Sequence, residues 1–184
     1  EASTEGLGIM TQALKNDPFW GVRAEAASAL GETKTPTAQI ALLQCLKEER
    51  SSKTRAKICS ALGNFPGEKS GEALIERFEN DKNIFVRGAA VAALGKTKHP
   101  KSKAVIEKAL KVDSWHDVVS AQAYAGLKNL HDEANTEKFL EGAKYGASKY
   151  SRLAAFSGLG EQAYDNAKVR DFLIESLDDP FLRA

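Results

Sequence analysis

Val22-Arg23-Ala24-Glu25-Ala26-Ala27-Ser28-Ala29-Leu30-Gly31 decides the fold, because the chain writes it again four times: Thr54 to Gly63, Val86 to Gly95, Val119 to Lys128 and Ser151 to Gly160. Leu30, Leu62, Leu94, Leu127 and Leu159 anchor the copies at intervals of 32, 32, 33 and 32 residues. A small residue precedes each of them: Ala29, Ala61, Ala93, Gly126 and Gly158. Self-similarity at a fixed period of this size is the mark of a stacked repeat architecture. Within the first copy Val22, Ala26, Ala29 and Leu30 fall on one face of a 3.6-residue helix. The small residues predict that neighbouring helices approach closely on that face. Asp17 is placed to cap the helix and Pro18 to occupy its first turn. Gly31, Gly63, Gly95 and Gly160 stand where a helix would end in a left-handed residue.

A second amphipathic segment follows each copy after a turn, and Pro36, Pro66 and Pro100 mark three of those turns. Leu42, Leu43 and Leu46 carry the apolar stripe of the first such segment; Leu74, Ile75 and Phe78 that of the next. Ile106 and Leu110, then Phe139, Leu140 and Ala143, then Leu173 and Leu177 continue the series. Each unit is thus a helix pair whose apolar sides disappear only on stacking. The expected fold is all-α, a right-handed α-α superhelix (a solenoid) of about five two-helix repeats with almost no strand.

The expected division is 17–48, 49–80, 81–112, 113–146 and 147–178 for the repeats. Met10 to Asp17 matches Ile106 to Asp113 at an offset of three periods, so 1–16 reads as the second helix of a partial repeat. Asp179-Pro180-Phe181 echoes Asp17-Pro18-Phe19, so 179–184 reads as the start of a further one. Neither end has the polar cap that closes a solenoid, and the expectation is an array truncated at both ends.

The pattern Asp-x4-Val-Arg-x2-Ala-x2-Ala-Leu-Gly, at Asp17–Gly31 and Asp81–Gly95, resembles HEAT and HEAT-like repeats. The resemblance covers about residues 6–184, although the period is short beside the ~40–47 residues of HEAT repeats proper. It implies a structural ladder in which arginines and aspartates join neighbouring repeats: Asp17, Arg23, Arg55, Asp81, Arg87 and Arg152. Ser120 breaks the arginine series and implies a different junction there. Residues Asp17–Gly31 are also similar to the helical C-terminal domain of zinc aminopeptidases of the aminopeptidase N type. That likeness implies a non-catalytic domain packed on a preceding catalytic domain of the same chain, shaping access to its substrate chamber. Zinc would then belong to the parent enzyme.

Composition narrows the alternatives. With 26 basic and 25 acidic residues, the net charge of +1 gives no general attraction to nucleic acid or an anionic membrane, and neither partner is expected. No stretch reaches the ~20 apolar residues that span a bilayer. Cys45 and Cys59 lie among apolar residues, which predicts buried free thiols and fits a reducing, cytoplasmic compartment. The three histidines, His99, His116 and His131, are scattered near turns, which predicts surface side chains and no metal site. Gly6-Leu7-Gly8 and Gly158-Leu159-Gly160 lack the strand and third glycine of a phosphate cradle. The expectation is therefore no catalytic, metal or cofactor residue in this chain.

The candidate interface is aromatic: Phe19, Trp20 and Trp115 stand at the starts of first helices, off the regular apolar stripe, and large rigid rings favour contact sites. Two roles stay open. One is the aminopeptidase accessory domain. The other is a free-standing scaffold holding a protein or peptide on a concave face lined by second helices. A third idea, a lyase-like HEAT protein acting on tetrapyrrole-carrying proteins, requires reactive side chains that do not stand out.

Overall fold

The computed structural model describes residues 3–179, and among these there are eleven α-helices and no strand. After α1 (Thr4–Asn16), five pairs follow. They are α2 (Trp20–Thr33) with α3 (Pro36–Glu48), α4 (Ser52–Leu62) with α5 (Glu68–Asn80), and α6 (Ile84–Leu94) with α7 (Ser102–Ala109). Then come α8 (Val118–Asn129) with α9 (Thr136–Ala143), and α10 (Lys149–Gly160) with α11 (Ala167–Glu175). The predicted all-helical solenoid is the observed fold. The further repeat expected after Asp179 falls on 180–184, outside the described residues.

One apolar core runs the length of the stack, from Leu14 through Leu30, Leu62, Leu94 and Leu127 to Leu159. No pair could bury its own stripe alone; Leu30, Leu62, Leu94 and Leu159 reach complete burial because helices of adjacent pairs close over them. Removing a buried leucine side chain from such a core costs about 2–5 kcal/mol.

The glycines after these leucines act differently from expectation. Gly63 and Gly95 have right-handed φ values of −59° and −58°, Gly31 lies inside α2, and Gly160 closes α10. At Gly31, Gly63 and Gly95 the value is the absent side chain, whereas Gly160 has open space around it. A Cβ on Gly31 would lie 2.8 Å from Ala61 Cβ, one on Gly63 3.1 Å from Ala93 Cβ, and one on Gly95 2.2 Å from the Gly126 carbonyl oxygen. The left-handed turn residues are instead Lys34, Lys98 and His131. Asp17 is corrected too: α2 begins at Trp20 with Phe19 at its N-cap, and the Asp17 carboxylate accepts the Phe19 N–H at 2.8 Å. Pro18 precedes the helix.

Between successive repeats, like helices approach closely only in the layer of first helices. The second helices stand farther apart and are joined by long side chains, as in Lys108–Glu79, Lys138–Glu107 and Lys168–Glu137. A stack with one tight and one wide layer bends towards the tight one. First helices, rather than the expected second helices, therefore line the concave side.

Candidate functional site

The arginine series divides in two. Arg23 donates from Nε and Nη2 to Glu49 at 2.8 and 2.9 Å, and from Nη1 to the Asp17 carbonyl at 2.8 Å. Arg55 repeats this with Asp81 at 2.7 and 3.0 Å, and with the Glu49 carbonyl at 3.2 Å. Each guanidinium thus grips the turn of its own repeat through carbonyls and forks onto the acid of the next, 26 residues on. Burial alone would raise the carboxyls of Glu49 and Asp81, but the forks and the N–H groups of Ser51 and Asn83 outweigh it. Both sit below the ordinary carboxylate range, and both arginines are pushed up by the same bonds.

Arg87 departs from this geometry. Its Nε donates to the Phe78 carbonyl at 2.9 Å and its guanidinium lies over the Phe78 ring, while Asp113 is exposed and forms no ion pair among the described residues. Arg152 likewise bonds a carbonyl, that of Ala143, and also pairs with Asp179. The break expected at Ser120 is occupied by a hydroxyl pair, Ser120 Oγ to Ser151 Oγ at 2.9 Å. The ladder has already lost its rung one junction earlier, at Arg87. The extra residue of the 33-residue interval explains this: a short 3₁₀ turn, Trp115–Asp117, precedes α8, with His116 and Asp117 both at φ 50°. Asp17 presents only its carbonyl to Arg23. Glu49 was not singled out from the sequence, though its distance of 32 from both Asp17 and Asp81 marks it.

All three candidate contact residues are at the surface. Trp115 is 64% exposed and stacks on His116, which stacks in turn on Tyr150, with ring centroids 3.8 and 5.0 Å apart. Phe19 and Trp20 are exposed and lie against each other, and the Lys53 ammonium sits 4.3 Å from the Trp20 ring. Phe85, unremarked in the sequence, joins them at 53% exposure. It sits in the first turn of α6, at the position that Lys53 holds in α4 and Tyr150 in α10. The helix N-termini thus form one aromatic-rich edge, but the pairs are separate: Phe19–Trp20 belongs to the first repeat and Trp115–His116–Tyr150 to the fourth and fifth.

Beside that edge, the concave side has a regular floor. Ser28, Ser60, Ala92, Ala125 and Ser157 occupy one helical position on the five first helices. Between α4, α6 and α8 the floor deepens into an open groove of about 320 Å³, bounded by Phe85, Ala89, Val118, Gln122, Lys96 and Asn129. Asn129 donates to the Ala92 carbonyl at 3.0 Å, as Asn64 does to the Gly31 carbonyl at 3.3 Å, so the far rim carries fixed amides.

His99, expected at the surface, is buried: its ring packs where Gly71 leaves space, and Nδ1 accepts the Lys101 N–H at 3.2 Å. His116 and His131 are exposed. Among the described residues no three His, Cys, Asp or Glu side chains come together. Cys45 and Cys59 are buried free thiols, and burial pushes Cys59 up to about 12. No helix of the described residues is long and apolar enough to cross a membrane.

Helix pairs stacked on a shared core, with arginine rungs between neighbours and an open inner face, define an α-helical repeat scaffold. The chain belongs to the HEAT-repeat family, whose model matches residues 2–58 and 40–128. Human deoxyhypusine hydroxylase, solved in complex with glycerol, shares the fold: TM-score 0.60 and 15% identity, over 94% of this chain and 67% of that one. No curated protein sequence matches.

Proposed function

We propose that this chain is a protein-binding scaffold whose working surface is the concave face of the first helices and its aromatic edge. HEAT repeats commonly mediate protein interactions, and one observation carries the reading to this face. Phe19, Trp20, Phe85, Trp115 and Tyr150 remain exposed at the N-terminal ends of first helices while the core beneath them is complete. Large exposed rings beside a groove are what a partner's surface covers. Catalysis lies outside the chain in this reading; human deoxyhypusine hydroxylase, an enzyme by its name, gives a fold likeness and carries no site residues across.

Photocrosslinking in cells tests the placement. A photoreactive phenylalanine analogue at Ala92 or Ala125 on the concave floor should yield adducts, and the same analogue at exposed Ile40 on α3 should yield few. Equal labelling of both faces would refute it.

A second reading has its own support. Phe19, Trp20 and Val22 are exposed together at the N-terminal end of α2, within the fifteen residues similar to the C-terminal domain of aminopeptidase N-type enzymes. Here the chain is the accessory domain of a zinc aminopeptidase, docked through this end on the catalytic domain, which holds the zinc and shapes substrate entry with it. Trp20→Ala should then weaken association with an added catalytic domain at least tenfold. Unchanged association would remove this reading and leave the scaffold intact.

A further inference from the structure

Charge is unevenly placed along the concave side. Lys53 and Lys57 stand one turn apart on α4, and Lys96 follows the end of α6. All three are exposed, and none forms an ion pair among the described residues. Lys53 rests only on the Trp20 ring. Lys57 occupies on α4 the position that Ala89 occupies on α6, one turn before Ser60, which lines the 320 Å³ groove from α4; Lys96 bounds it at the end of α6. The groove floor is apolar at Phe85, Ala89, Ala92 and Val118. Asn129 spends its amide N–H on the Ala92 carbonyl and keeps its oxygen as an acceptor at the rim.

We propose that this groove binds an acidic, extended peptide segment: one apolar side chain seated over Phe85, Ala89 and Val118, flanked by carboxylates that meet Lys57 and Lys96. Charge complementarity selects this occupant. Two cations without ion-pair partners, Lys57 and Lys96, flank an apolar hollow of side-chain size, and a carboxylate brought to each gains an ion pair without breaking one. Helix spacing sets the format. Neighbouring helix axes lie about 8–10 Å apart, so about three residues of extended chain at ~3.3 Å each carry a peptide from Lys57 on α4 across α6. The positive field is short. Glu25 and Glu32 face the concave side on α2, and at the far end Glu161 holds Lys128 at 3.0 Å. A long polyanion would run into those carboxylates, so a peptide is favoured over nucleic acid, which needs an unbroken basic track.

The inference rests on the scaffold reading and specifies its ligand. Fluorescence anisotropy of the whole chain with a fluorescein-labelled Gly-Glu-Asp-Ser-Phe-Asp-Gly amide tests it. The amide-for-acid version (Gln and Asn throughout) should bind about tenfold more weakly, and the version with Ser for Phe should lose a similar factor. Lys57→Glu with Lys96→Glu should abolish the preference for acid, and Phe85→Ser the preference for the apolar anchor. All three positions are exposed, so circular dichroism of the variants should match the parent. Equal binding of acidic and neutral peptides, indifference to the charge reversals, no binding at millimolar peptide, or tighter binding of a short oligothymidylate would each overturn it. Concave-face crosslinks with any of those outcomes would leave the scaffold standing and remove only the acidic ligand; crosslinks spread over both faces would remove the scaffold itself.

Discussion

Gly95→Ala and Gly160→Ala make the same chemical change after the same leucine, yet the structure gives them opposite signs. Both glycines lie at the end of a first helix, and alanine in a right-handed conformation gains up to about 1 kcal/mol over glycine in helix propensity. At Gly160 nothing lies within 4 Å of the added Cβ, so that gain stands. At Gly95 the Cβ would fall 2.2 Å from the Gly126 carbonyl oxygen and 2.9 Å from Asn129 Cβ. Backbone cannot rotate aside. Restoring ordinary contact near 3.4 Å requires α6 and α8 to part by about 1 Å, loosening Val91, Leu94 and Leu127 in the same layer. Overpacking costs about 1–3 kcal/mol; a clash this short with backbone takes the upper end, and, less the propensity gain of about 1 kcal/mol, a net loss of about 2 kcal/mol remains. Thermal unfolding followed by circular dichroism should show Gly95→Ala melting about 4–8 °C lower and Gly160→Ala unchanged or up to about 3 °C higher. Hydrogen exchange should place the Gly95→Ala loss in α6 and α8. A similar destabilisation at both sites would mean that these glycines serve a left-handed cap after all, and the packing explanation would fall.

Arg55→Ala, which takes the fork from the buried Asp81 carboxylate and leaves it Arg77 at 3.9 Å and the Asn83 N–H, should cost about 2–4 kcal/mol in urea unfolding, against about 1 kcal/mol for Arg87→Ala, whose guanidinium holds a carbonyl and a ring face but no carboxylate. Glu49 and Asp81 are depressed in the folded state, so the unfolded chain takes up protons first. Their contribution is therefore complete above about pH 5 and is lost as the pH falls through about 4 and below. Urea midpoints measured from pH 6 to 3 should fall along that range, more shallowly in Asp81→Asn. Because burial raises both thiols, Cys59 to about 12, Ellman's reagent at pH 8 should react with neither until the chain unfolds; rapid reaction of Cys59 in the native protein would contradict its complete burial. Trp115→Ala removes an exposed stacked ring and should change stability by no more than about 0.5 kcal/mol.

The fold was legible because repetition multiplies a weak local signal. A single amphipathic decapeptide is ambiguous, but five at a constant interval demand a stack, and the buried series Leu30 to Leu159 follows from the interval alone. Conformation at the repeat ends was less legible. A glycine after a helix has two physical uses, φ freedom and close approach, and only the position of Ala61, Ala93 and Gly126 across the junction distinguishes them. His99 shows the same limit, since its burial depends on Gly71 in another pair. The exposed aromatics were partly visible: Phe19, Trp20 and Trp115 sit off the apolar stripe, whereas Phe85 adjoins Val86 and reads as core until α6 is placed. Lys57 and Lys96 look like ordinary surface charge in one dimension. They become a pair only when the concave side is assigned to the first helices.

The one irregular interval and the groove meet at the same junction, and the physics connects them. A regular 32-residue step would place Asp113 within reach of Arg87, as Glu49 is of Arg23 and Asp81 of Arg55. The added residue is absorbed by two consecutive left-handed residues, His116 and Asp117, a conformation that costs roughly 1 kcal/mol or more each outside glycine. The rung is lost as well. Along one edge the turn carries Trp115 out to stack with His116 and Tyr150; along the floor it brings Val118 opposite Phe85 across the hollow between α6 and α8. Local regularity is thus given up where the groove opens on the inner face beside exposed rings, and the proposed acidic peptide gives that departure from the repeat rule a use.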